Sequence, residues 1–192
     1  EIAKNNPEVW IWGGDNVYSD TDSMPKLRAD YKMQWNQKGY KEFVNSVDVL
    51  ATWDDHDYGL NDGGVEFYKK KESQREFLDF LKVPKEDVRR KQEGIYHTKT
   101  YKTKQGSIKV IVLDTRYFRS GLTISKDKSK RYQPNKYGEG TMLGEQQWKW
   151  FQKELSNSKA DFNVIVSSVQ FLSYKHGFES WGTFPHEVDK MK

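Results

Sequence analysis

The 192-residue chain contains no cysteine. Disulfide frameworks, zinc–thiolate sites and thiol nucleophiles are thereby excluded. Histidine is scarce, with four residues, so imidazole chemistry can come from few positions. No apolar run approaches the length of a membrane span, and the opening "EIAKNNPEVW" carries no recognisable secretory leader. Neither sign of charge dominates: 32 Lys and Arg against 28 Asp and Glu leave a net charge of +4. The basic clusters at 69–71 and 126–131 read as solvated faces rather than a nucleic-acid surface. A mildly basic surface would still draw in anionic substrates. Repeats and low-complexity linkers are also missing.

What the chain does have is aromatic mass. Seven Trp, eleven Tyr and ten Phe make up 15% of it, enough to build a core despite 31% charged residues. Disordered chains are poor in such residues. The length suits one domain over 1–192.

Four short apolar, β-branched runs stand out: "VWIWGG" (9–14), "SVDVLATW" (46–53), "SIKVIVLD" (107–114) and "DFNVIVSS" (161–168). Near-continuous apolarity is the pattern of strands buried on both faces. An alternating run over 95–102, joined by "KQG" to the third, reads as a hairpin. Helices are expected over 24–37, with Pro25 in the first turn, over 64–81 and over 143–156. The polar stretch 120–140, with three glycines, reads as a long surface loop. Strands alternating with helices predict an α/β layered domain.

Three of the four runs lead directly into polar clusters: Asp15 to Tyr18, Asp54 to Asp57, and Asp114 to Arg119. Ligands in open α/β sheets bind beyond the carboxyl ends of strands. In "GGDNVYSD", two glycines permit a sharp turn and Asp15 follows the strand end. "LATWDDHDYGLND" (50–62) crowds four aspartates around His56. Charges there are costly unless paired or bound to a metal. Oxygen ligands favour Ca²⁺, Mg²⁺, Mn²⁺ or Fe³⁺, and an imidazole adds iron or zinc. The simpler readings are an Asx turn for the first motif and an acidic loop with a surface histidine for the second.

"GGDNVY" followed by "TWDDHD" resembles the calcineurin-like metallophosphoesterase superfamily, and "WDDHD" resembles its PhoD-like (alkaline phosphatase D) branch. "LDTRYFR", "LGEQQWKWFQKEL", "VIVSSVQF" and "ESWGTFPHE" agree with that branch in order along the chain. The resemblance implies a metallophosphoesterase-like β-sandwich flanked by helices. It implies that Asp15 bridges two metals, that Tyr18 binds ferric iron as phenolate and that Asp55 is a further ligand. His56 would contact the phosphoryl oxygen or leaving group, Arg116 would offset equatorial charge, and Arg119 and Asn61 would contact substrate. Fe³⁺ with Ca²⁺ is the implied metal pair. The implied reaction is attack of a metal-activated hydroxide on a small-molecule phosphate mono- or diester, in a secreted or periplasmic protein.

The family's upstream strand with a metal ligand is expected before Glu1, and its Gly-Asp-x-His motif after Lys192. The chain is accordingly expected to be partial, and by itself to bind metal weakly and hydrolyse poorly. A decayed, non-catalytic metal- or anion-binding domain is the alternative. A glycosidase reading of Asp54 and Asp55 is weaker, since adjacent residues rarely flank a bond from opposite sides. Ser167 and Ser168 have no visible triad partners.

Overall fold

The computed structural model describes residues 2–173 and 175–192. It comprises two compact units, Glu1–Gly63 with Phe67–Ile95, and Gly64–Glu66 with Tyr96–Lys192.

In the first unit, β1 (Val9–Gly13) leads through α1 (Met24–Trp35) and α2 (Tyr40–Ser46) to β2 (Asp48–Thr52). The strands pair in parallel, with Val9 opposite Asp48 and Gly13 opposite Thr52. Parallel strands need such a helical crossover. A single helical turn, α3 (Asp55–Tyr58), follows β2, and its start carries a reciprocal capping box between Asp54 and Asp57. Helix α4 (Lys70–Phe80) completes the unit.

Aromatic rings join these elements. Trp53 is fully buried, with the rings of Tyr58 and Phe77 at 5.0 and 5.3 Å. Replacing such a side chain by alanine costs about 3–5 kcal/mol. The Ser73 hydroxyl donates to the Tyr58 carbonyl at 2.5 Å, fixing α4 to the turn that carries Asp55 and His56. Buried Gln74 donates to the carbonyls of Arg89, Gln92 and Gly94 and accepts from the Gly94 N–H, closing the loop beyond α4.

Helix α4 starts at Lys70, not at residue 64. Two side chains behind the longer expectation, Val65 and Tyr68, are exposed. Gly64 is closely packed, since a Cβ there would meet the Arg119 carbonyl oxygen at 2.5 Å, and the Val65 N–H donates to that same oxygen. Those contacts replace the first helical turn.

In the second unit, β3 (His97–Thr103) and β4 (Gly106–Val112) form the expected antiparallel hairpin. Within 120–140, β5 (Thr123–Ile124) pairs with β6 (Tyr132–Gln133). Helix α5 (Gly144–Ser156) precedes β7 (Phe162–Val166), which pairs with β4 in parallel, and α6 (Pro185–Met191) lies near the end. Ile111, Leu113, Met142, Leu143, Trp148, Phe151, Val169, Trp181 and Phe184 form the core. Buried Glu187 ties α6 to this core by accepting from the Thr141 hydroxyl and the Met142 N–H.

The described residues are thus mixed α/β, with small sheets of two, three and two strands. Burial on both faces holds for the end of β4 and fails for β7. β7 is an edge strand, and Phe162, Val164 and Ile165 are exposed. Among the described residues, no helix is long and apolar enough to cross a membrane.

Candidate metal centre

The register of β1 and β2 sets the site. Because Gly13 lies opposite Thr52, both strands deliver the chain to the same end of the ladder. Gly14 then adopts φ +125°, a conformation open to glycine. Asp15 follows at φ +48°, a left-handed conformation that Asp and Asn tolerate better than most residues. This reversal turns the Asp15 carboxylate toward the turn after β2.

Ligand atoms of Asp15, Asp55 and His56 all lie within 4.8 Å of one another. Two carboxylates that close repel unless a cation stands between them. Two oxygens and a ring nitrogen form a hard-to-borderline donor set, which fits Ca²⁺, Mn²⁺, iron or zinc. The residues present therefore fit a metal ion. Asp55 is buried, and its Oδ2 accepts the Asp62 N–H at 2.7 Å, which fixes the carboxylate's orientation.

His56 is held from both ends. Its Nδ1 lies 2.8 Å from each carboxylate oxygen of Asp20. Its backbone carbonyl accepts the N–H groups of Ser19 and Asp20 at 3.2 and 3.1 Å. With Nδ1–H on Asp20, the neutral ring keeps Nε2 as its acceptor. Burial acts to lower the His56 pKa, but the Asp20 hydrogen bond and the charges of Asp55, Asp15 and Asp20 outweigh it and raise the value.

Tyr18 is 70% exposed, with its ring 4.3 Å from that of His56. A hydrogen bond to Asp15, then that carboxylate's charge, raises the phenol pKa, so without a cation the hydroxyl stays protonated.

Behind these groups lies Asp57, fully buried. Desolvation pushes its pKa to about 7, against hydrogen bonds from the Asn16 side chain and the Asp54 and Asn16 backbones. Its Oδ1 accepts the Asp54 N–H at 2.7 Å and its Oδ2 accepts the Asn16 N–H at 3.2 Å. The Asn16 side chain bridges the two motifs, donating to Asp57 Oδ2 and to the Thr52 carbonyl. The carboxyl is thus structural, tying the turn after β1 to the turn after β2.

Asn61 is exposed and donates to Asp62 at 3.0 Å. Arg116 and Arg119 belong to the second unit and are 2% and 1% exposed. Asp114 presents them: its Oδ1 accepts the N–H groups of Arg116 and Tyr117, while Gln147 clamps its backbone N–H and carbonyl. Glu179 lies between the guanidinium groups, with Oε2 2.6 Å from Arg116 Nη1 and Oε1 2.9 Å from Arg119 Nε. The second contact is an ion pair without hydrogen-bond alignment. Arg119 Nη1 also donates to the Ser120 carbonyl.

The structure therefore brings Asp15, Tyr18, Asp55 and His56 together in one unit and joins Arg116 to Arg119 in the other. The sequence places Asp20 in "GGDNVYSD" and Glu179 at the head of "ESWGTFPHE" but assigns neither a role. Asp20 was findable, lying in the same "GGDNVYSD" run as Asp15 and Tyr18. Glu179 lies 63 residues from Arg116, and nothing local links them.

A family model described as PhoD-like phosphatase matches residues 1–190. A solved structure titled "Structure of PhoD" is similar at 17% identity with a TM-score of 0.77, covering 99% of this chain and 43% of that one. The chain thus spans less than half the length of that protein. No curated protein matches it.

Proposed function

The chain belongs to the PhoD-like phosphatase family, and from that premise we propose that its site serves metal-dependent hydrolysis of phosphate mono- or diesters in the full-length protein. The observation that carries this reading is the convergence of Asp15, Asp55 and His56 ligand atoms within 4.8 Å, at the carboxyl end of a parallel strand pair.

In this reading Asp15 and Asp55 hold the cation, with the Tyr18 hydroxyl beside Asp15 as a third oxygen. Fe³⁺ with Ca²⁺ is the proposed pair, on family resemblance, as is a secreted or periplasmic location. Bound metal supplies electrophilic polarisation of the phosphoryl group and lowers the pKa of water. In its protonated form, favoured by the raised pKa, His56 carries a second proton at Nε2 for the departing oxygen, while Asp20 keeps the ring oriented through Nδ1. Arg116 and Arg119 are proposed to offset charge on the phosphoryl oxygens, and Asn61 to contact substrate, on family resemblance. The buried ion pairs to Glu179 support a fixed guanidinium geometry.

Asp15, Tyr18 and Asp55 are too few to close two coordination spheres, so further ligands are required. The test is metal content together with turnover of p-nitrophenyl phosphate and bis-p-nitrophenyl phosphate by the full-length protein. Asp15→Asn and His56→Ala are each expected to lower turnover by about 100-fold or more. Undiminished turnover in either variant refutes the site. Stoichiometric metal without turnover in the unaltered protein identifies a non-catalytic domain instead.

A further inference from the structure

A cavity of about 310 Å³ lies between α1 and α4 in the first unit, on residues that the proposed hydrolysis does not use. We propose that it binds a small aryl anion, a planar ring system bearing one carboxylate or sulfonate.

Its apolar wall is aromatic. Tyr31 and Phe80 stack at 4.6 Å with 14° between their planes, and Trp35 stands beside them, half-buried. The stacked pair meets the cavity by its ring edges, which favour a flat apolar body through edge-to-face contacts. The cavity's volume is at the lower end for ligand pockets. That admits a fused-ring body and disfavours a long acyl chain.

Its rim is cationic in effect. Two acids line it, but both are already neutralised. Glu76 takes a bidentate pair from Arg28, at 2.9 and 2.5 Å, and Asp79 takes Arg90 at 2.6 Å. Lys32 and Lys82 also line the cavity, and among the described residues neither makes an ion pair. The Lys82 ammonium sits 3.7 Å over the Trp35 ring. Its backbone is left-handed, at φ +53°, and its N–H donates to the Asp79 carbonyl at 3.0 Å. The tail of α4 thus places a cation directly above an aromatic surface. An aryl anion satisfies both at once, its ring on the aromatic wall and its charge on the lysines.

None of the residues lining the cavity belongs to the candidate metal centre. Tyr31 lines it, and the Tyr31 hydroxyl donates to the Asp57 carbonyl at 3.2 Å.

The test is calorimetric titration of the full chain with 2-naphthoate. Saturable one-to-one binding is expected, and uncharged 2-naphthalenemethanol should bind more weakly by about fivefold. Lys82→Glu and Lys32→Glu, both at exposed positions, should each weaken 2-naphthoate by about fivefold or more, with unfolding midpoints checked alongside. Asp15→Asn should leave it unchanged. The proposal is overturned by a lack of saturation at millimolar 2-naphthoate. It is equally overturned by equal affinity for the uncharged compound, by indifference to both lysine variants, or by loss of binding in Asp15→Asn.

Discussion

Removing the Glu179 carboxylate should destabilise the second unit more than removing any exposed acid. The Arg116, Arg119 and Glu179 side chains are 3%, 1% and 6% exposed, and one carboxylate stands between two guanidinium groups. Glu179→Ala would remove the carboxylate that both buried guanidinium groups pair with. Breaking a buried pair from one side costs about 3–5 kcal/mol, which for a chain of this size is a loss of roughly 6–20 °C in Tm. The internal control is Glu145→Ala. The Glu145–Lys149 pair is just as short, 2.5 Å against 2.6 Å, but its side chains are 81% and 73% exposed. Its removal should leave the melting midpoint unchanged within error. Replacing all three charged residues with apolar ones of similar volume should recover most of the loss, because the penalty comes from stranded charge. The assay is thermal and urea unfolding of the three proteins against the unaltered chain. If Glu179→Ala and Glu145→Ala shift the midpoint equally, burial is not what makes the cluster matter and the reasoning fails.

Asp20→Asn should lower the His56 pKa, read by NMR titration of the ring in metal-free protein, because the strongest influence holding it above 6.5 is gone. With His56 raised, its share of stability is complete below 6.5 and lost as pH rises through the raised value, and the variant should lose the part of that share that Asp20 supplies. Asp57 runs the opposite way for a carboxyl. Its pKa is raised from 3.8 to about 7, so the native state holds the extra proton, and metal-free stability should fall as pH rises across that window. Asp57→Asn should flatten the slope in urea unfolding; an unchanged slope contradicts the assignment. Saturating Ca²⁺ or Mn²⁺ should raise the melting temperature, by about 2.7 kcal/mol of stability at a hundredfold excess over Kd. Asp55→Asn should abolish that rise, and its persistence would place the ion elsewhere.

The candidate metal-binding motifs stand out in sequence because each is short and follows its own strand. β1 and β2 announce themselves by β-branched and aromatic residues, and Asp15, Asp55 and His56 follow within a few positions. Parallel pairing then needs only the register to bring them together. What was not legible depends on contacts distant in sequence. The early start expected for α4 failed because Gly64 packs against the Arg119 carbonyl, a partner no local pattern can name. β7 carries the apolar composition of a buried strand yet lies at an edge, since composition records affinity for a core and not which neighbours supply it. Asp20 is close to Asp15 in sequence, but its role depends on a loop folded back onto the His56 carbonyl. Glu179 is an ordinary surface-type residue in sequence and becomes a buried counterion only through the fold.

The ladder between β1 and β2 would also act as a gauge for an ion held at the proposed site. Each strand residue advances the chain about 3.3 Å, while the whole ligand set spans no more than 4.8 Å. A slip of one residue would therefore carry Asp15 most of the way across the centre and turn the neighbouring side chains to opposite faces. Ion selectivity depends on bond lengths held within about 0.2 Å, far finer than that step. Side chains that set the ladder's fit, such as Ala51, 1% exposed and paired with Trp12, would then tune which cation is accepted without touching it. A directed search for altered metal preference has reason to begin in the strands, ahead of the acidic turn itself.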